Sequence, residues 1–142
     1  MDALELLKDD HQTVKELFEQ AEGVKDEKEQ RRIFQQIKKE LETHAHIEET
    51  VFYPAMQKHE ELKDMVLEAI EEHKQVKTLL REMDNLATGT EEFEPKLEEL
   101  MDNVEYHAEE EEEGKMFPKV REIVDAATLE QLREQLESAK RE

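Results

Sequence analysis

The chain has 142 residues, of which 42% are charged and 36% hydrophobic, with a formal charge of −20 and neither cysteine nor tryptophan. That length points to one domain with a core of moderate size. The charge disfavours nucleic acid and anionic membrane surfaces as partners, the missing cysteines exclude disulfides and thiolate metal ligands, and cations are what such a surface attracts.

Helix-forming Glu, Lys, Leu, Ala and Gln dominate, while Gly and Pro number three each, so the elements are expected to be helices. Apolar residues recur every three or four positions. The first inward stripe reads Leu4, Leu7, His11, Val14, Phe18, Ala21. KDEKEQRR at 25–32 has no apolar residue and marks the first break. The second stripe reads Phe34, Ile37, Leu41, His44, Glu48, Val51, Ala55, with Pro54 expected to kink or end the helix before a turn at Lys58-His59-Glu60. The third reads Leu62, Val66, Ala69, His73, Val76, Leu80, Met83. A turn at Thr88-Gly89-Thr90 follows, with Thr88 and Glu91 as a capping box. The fourth stripe reads Phe93, Leu97, Leu100, Val104, His107, Glu111, and a second capping box, Thr128 with Gln131, opens a short helix near 128–140 that either packs across the bundle or extends into solvent. The expected fold is all-α: an antiparallel up-down-up-down four-helix bundle over 1–125, with a short C-terminal fifth helix in 126–142 of the same domain.

Each stripe carries a histidine where the pattern asks for an apolar residue: His11, His44, His73 and His107. Two carry a glutamate four residues later, Glu48 and Glu111, about 40° away on the same helix face. His46 and His59 fall outside the stripes and are expected at the surface. A histidine on an apolar face is more often a hydrogen-bonded core residue than a ligand, so register supplies the independent argument. The midpoint of His11 and His44 falls inside KDEKEQRR, that of His44 and His73 at Lys58-His59, and that of His73 and His107 at Thr90. In an up-down bundle these midpoints put all four imidazoles at one level. Glu48 supplies the energetic argument, because an ionised core carboxylate costs several kcal/mol unless it is paired or bound to metal, and its stripe offers no Lys or Arg. Four imidazoles and two carboxylates without sulfur suit Fe or Mn, with Zn possible. Two ions about 3.5–4 Å apart, bridged by both carboxylates, would use all six groups and leave coordination positions open.

The order His, HxxxE, His, HxxxE resembles the hemerythrin-like HHE cation-binding domains. The matching pieces are DDHQTVKELF at 9–18, THAHIEETVFYP at 43–54, EEHKQVKTLL at 71–80 and YHAEEEEEGKMFP at 106–118. The resemblance covers roughly residues 2–125. It implies a non-haem di-iron centre, two iron ions bridged by oxo or hydroxo groups and carboxylates. By position, His11, His44, Glu48, His73, His107 and Glu111 carry over as its ligands. Two departures stand out. Oxygen carriers of the family have a fifth histidine one turn after the third-helix one, where this chain has Lys77. His44 lies ten residues before Pro54, but His107 lies eleven before Pro118. Helical phase selects Glu111, alignment on the prolines selects Glu112, and a one-residue π-bulge would reconcile the two counts.

The function expected is a metal-binding protein that binds or senses oxygen, nitric oxide or redox state. The alternatives are a di-iron enzyme acting on peroxide or iron, with Tyr53 and Tyr106 as redox-active neighbours, and iron storage or delivery for repair of iron centres. The partners expected are a small diatomic ligand or peroxide, with a protein partner as a further candidate, and neither nucleic acid nor membrane. Residues 1–20 lack the layout of a signal peptide and no apolar run approaches the ~20 residues that span a bilayer, so the expected location is the cytoplasm.

Overall fold

A computed structural model describes residues 1–87 and 89–142. Helix α1 (Ala3–Gly23) starts at a capping box in which Asp2 accepts from the Glu5 N–H and Glu5 reaches back, and it buries Leu4, Leu7, Val14, Phe18 and Ala21 as the stripe predicts. Only 24–26 separates it from α2. Helix α2 (27–56) therefore starts inside the polar run expected to be a break. Asp26 caps it by accepting from the Glu29 N–H, and the run forms helix because its polar groups reach other helices: Gln30 to Glu94, Arg31 to Asp84.

From Glu48 to Phe52 the backbone of α2 widens into π-helical turns, with the Tyr53 N–H donating to the Glu48 carbonyl. Pro54 follows at once. It does not end the helix, which continues to Met56. The widened turn takes up one extra residue, so the stripe shifts by one position. Phe52 and Met56 are buried, while Val51 and Ala55 are only half-buried. A short 3₁₀ turn (Glu60–Leu62) leads into α3 (Lys63–Asp84), a regular helix that buries Val66, Ala69, His73, Leu80 and Met83.

Gly89 holds φ at +88° in the next connection, and the Thr88 half of the expected capping box lies outside the described residues. Helix α4 (93–123) is itself uncapped by a side chain. It is regular over Phe93–Glu105, π-helical over Tyr106–Met116 and regular again over Phe117–Ile123. Its second proline, Pro118, again sits just after the widened stretch. Gly114 has a specific role there, because a Cβ at this position would lie 2.9 Å from the Glu109 carbonyl oxygen. In a regular helix Gly→Ala stabilises by up to about 1 kcal/mol. Here Gly114→Ala is expected to destabilise by about 1–2 kcal/mol through that crowding. Urea unfolding of the metal-free protein checks the sign, and a raised midpoint would contradict the assignment.

Helix α5 (Ala126–Lys140) begins before the expected Thr128 capping box. Asp125 caps it, accepting from the Thr128 N–H at 2.8 Å. It does not extend into solvent: Leu129, Leu132, Leu136 and Ala139 are buried, and it packs against α1 and α2. The four long helices form the up-down-up-down bundle. Asp2 at the start of α1 pairs with Arg121 at the end of α4, Arg31 at the start of α2 pairs with Asp84 at the end of α3, and Glu82 near the end of α3 pairs with Lys96 at the start of α4.

The core is split in two. One apolar cluster gathers Leu4, Leu7, Ile47, Phe52, Val66, Phe117 and the inner face of α5. The other gathers Val14, Phe18, Phe34, Ile37, Leu80, Met83, Phe93 and Leu100. His11, His44, His73 and His107 fall between the two clusters along every helix, which makes a polar layer across the bundle. Among the described residues no helix is long and apolar enough to cross a membrane.

Candidate metal centre

All four expected histidines converge in that layer. His44, His73 and His107 are buried, and the His11 side chain is 10% exposed. Glu48 and Glu112 are both fully buried between them. Glu48 Oε1 lies 3.1 Å from His44 Nε2 and 3.1 Å from His73 Nε2. Glu112 Oε1 lies 3.1 Å from His11 Nε2, 3.3 Å from His107 Nε2 and 4.0 Å from His44 Nε2.

The second carboxylate is thus Glu112, and Glu111 is corrected. Glu111 points away from the centre, bonded to Lys115 at 3.3 Å and to the Tyr106 hydroxyl. The cause is the π-helical stretch. In an α-helix the hydrogen bond spans four residues and His44 shares a face with the residue four on. In a π-helix it spans five, so His107 shares a face with the residue five on. Five consecutive glutamates at 109–113 supply a carboxylate for either phase, which is why composition could not choose.

Tyr53 joins the centre. Its buried hydroxyl donates to Glu112 Oε2 at 2.9 Å and sits 3.3 Å and 3.4 Å from Nε2 of His73 and His107. Burial, with the Glu112 and Glu48 carboxylates beside it, pushes the phenol well above its ordinary pKa, so it stays a proton donor. Tyr106 is exposed on the surface and is not part of the site. His46 is exposed too, as expected, and His59 is half-buried at its turn.

A set of residues that the stripes do not reveal surrounds the imidazoles. His11 Nδ1 meets Glu113 at 2.7 Å, His44 Nδ1 meets Asp10 at 2.9 Å, His73 Nδ1 meets Glu49 at 2.7 Å and His107 Nδ1 meets Glu72 at 2.5 Å. A carboxylate only accepts, so each Nδ1 carries the proton and each Nε2 is turned inward. The available sequence signal was the acidic residue beside each inward group: Asp10-His11, Glu48-Glu49, Glu72-His73, Glu112-Glu113. Lys77, in the place of the carriers' fifth histidine, reaches outward to Glu49 at 2.8 Å and 2.9 Å.

The electrostatics follow from six carboxylates around four imidazoles. Burial alone would depress the histidines. The carboxylates outweigh it, raising His11 and His73, lifting His44 well above its ordinary value and pushing His107 up to about 10. Burial would raise Glu112, but His107 and its neighbours hold it well below the usual range. The hydrogen bond from His73 brings Glu49 down to about 2 against its partial burial, with Lys77 helping. Without a metal, protons are the counter-charge.

The donor set fits a metal. Ligand atoms of His11, His44, Glu48 and Glu112 lie within 4.8 Å of one another, as do those of Glu48, His73 and His107, so Glu48 is common to these two groups; Glu111 gathers instead with Glu68 and Glu72, away from the buried layer. His44 Nε2 approaches Glu48 Oε1 at 3.1 Å without forming an aligned hydrogen bond, and Glu48 Oε2 is buried without one as well, the unsatisfied condition that a cation relieves. A four-helix bundle with a middle layer of this kind defines a helical cation-binding protein. The sequence profile described as the hemerythrin HHE cation binding domain matches residues 2–120, and the chain belongs to that family.

Two comparisons place it further. The fold is similar to that of a hemerythrin HHE cation binding domain-containing protein from Mycobacterium kansasii. The TM-score is 0.87 at 26% identity, over 99% of this chain and 86% of that one. A DNA nickase from Nostoc sp. is 28% identical over 140 residues, 99% of this chain and 39% of the nickase, so the chain spans about two fifths of that relative.

Proposed function

We propose that this chain is a di-iron module that binds or senses a small diatomic molecule, oxygen or nitric oxide. His11 and His44 would hold one ion, His73 and His107 the other, with Glu48 and Glu112 between them. Iron at such a centre supplies electrons and open coordination positions to a small ligand. The other work falls to the chain. Tyr53 keeps its proton and donates a hydrogen bond to Glu112, the two apolar clusters shield the layer from water, and the imidazoles present Nε2 inward.

One observation carries the reading. A cavity of about 40 Å³ lies against all four imidazoles, walled by Val14, Leu41, Val76, Leu80, Val104 and Ala108. It has room for a small molecule beside the imidazoles, and its largely apolar walls favour a gas over water. The nickase similarity does not extend the reading to DNA, because the aligned part is 39% of that protein and a formal charge of −20 repels phosphate.

The test is optical. The reduced, iron-loaded protein is expected to change its near-ultraviolet and visible absorption on adding oxygen or nitric oxide. Val76→Phe, which fills the cavity, is expected to leave iron content unchanged and weaken gas binding by at least about tenfold, on the order of a clash of 1–3 kcal/mol. A ferrous sample indifferent to both gases sinks the proposal.

A further inference from the structure

The four outer carboxylates have an order. Asp10 on α1 holds His44 on α2, Glu49 on α2 holds His73 on α3, Glu72 on α3 holds His107 on α4, and Glu113 on α4 holds His11 on α1. Each helix gives one carboxylate to the next helix and receives one from the helix before, and the circuit closes around the bundle. None of the four bonds is made within a helix. Each of these accepting carboxylates also adjoins an inward-pointing residue of its own helix (His11, Glu48, His73 or Glu112). Chance contact in an acidic chain would produce neither the single direction nor the closure. The exposed His46 makes only a 3.5 Å approach to the exposed Glu142.

We propose that Asp10, Glu49, Glu72 and Glu113 form a closed ring of positioning residues that sets which imidazole nitrogen faces the metal and locks the four helices in register around it. The proposal rests on the metal-centre reading. Two members are themselves anchored by lysines. Lys77 pairs with Glu49, and Lys140 of α5 pairs with Asp10. Through Asp10 the C-terminal helix thus reaches His44, and Lys77 steadies an imidazole from outside where the carriers' fifth histidine would bind from inside. Outer hydrogen bonds of this kind typically carry 10–100-fold in metal affinity.

Glu72 is the member to test, because its bond to His107 is not shared with a lysine. Zinc, a diamagnetic probe, is titrated by competition into the metal-free full-length chain and three variants. Glu72→Ala is expected to bind zinc about 10–100-fold more weakly. Glu72→Gln keeps an acceptor for Nδ1–H and is expected to recover part of the loss. Glu111→Gln removes an equal charge beside Glu72 without removing a hydrogen bond to a histidine, and is expected to lose clearly less affinity than Glu72→Ala, within about threefold of the parent. In the zinc-loaded protein, the His107 Nδ1–H signal is expected to disappear in Glu72→Ala alone. Equal losses in Glu72→Ala and Glu111→Gln would overturn the ring and leave the centre standing. Failure of the parent chain to bind zinc would overturn the centre and the ring with it.

Discussion

Glu112→Ala is expected to remove bound metal, while Glu111→Ala leaves the metal content of the parent. The two residues are adjacent, equally charged and on one helix, so composition and helix propensity change alike in both variants. Their surroundings differ. Glu112 is fully buried and lies within 3.1–4.0 Å of three imidazole nitrogens and 2.9 Å of the Tyr53 hydroxyl. Glu111, its side chain 12% exposed, meets no imidazole and is bonded instead to the exposed Lys115. If outer hydrogen bonds are worth 10–100-fold in affinity, loss of an inner carboxylate costs more than about 100-fold. Elemental analysis of protein purified from iron-fed cells reads the result directly. Two irons per chain in Glu112→Ala, or depletion in Glu111→Ala, would return the assignment to the uninterrupted helical phase.

Stripping the metal is expected to reverse the pH dependence of stability. In the metal-free chain the imidazoles are held protonated by their carboxylates, His107 up to about 10. A folded pKa above the unfolded value of 6.5 contributes stability that is complete below 6.5 and is lost as pH rises toward 10. The chelated protein should therefore melt at progressively lower temperature from pH 6 to pH 10. Metal binding runs the other way. A cation must displace those protons, so its affinity rises with pH, by roughly tenfold per unit for each proton displaced. At neutral pH a cation at about 1,000 times its dissociation constant adds about 4 kcal/mol. In a chain of this size that amounts to more than about 10 °C in melting temperature. The gap between loaded and stripped protein is expected to widen from pH 6 to pH 9. Scanning calorimetry with and without chelator measures it, and melting curves unmoved by chelator at every pH would remove the basis for a metal in this layer. On the acid side, Glu49, held down to about 2, contributes stability that is present above 4.5 and is lost as pH falls toward 2.

The sequence alone determined the four amphipathic helices, their antiparallel order and the level at which four histidines meet. Those features follow from a local 3.6-residue period and from chain lengths counted between turns, and neither needs knowledge of the partner helices. Glu48 was legible for the same reason, since α2 is still regular between His44 and the start of its π-helical turns. The tertiary structure decided what lies beyond the widened turns. A π-helical hydrogen bond leaves no mark in hydrophobic periodicity, so Phe52 and Met56 displaced Val51 and Ala55, and Glu112 displaced Glu111. The only trace was the unequal count from histidine to proline, ten in α2 and eleven in α4. The ring of Asp10, Glu49, Glu72 and Glu113 was hidden differently. In a chain with 40 acidic residues, which of them turns toward a histidine depends on the neighbouring helix. The docking of α5, and through Lys140 its link to His44, likewise depended on surfaces that exist only once the bundle has formed.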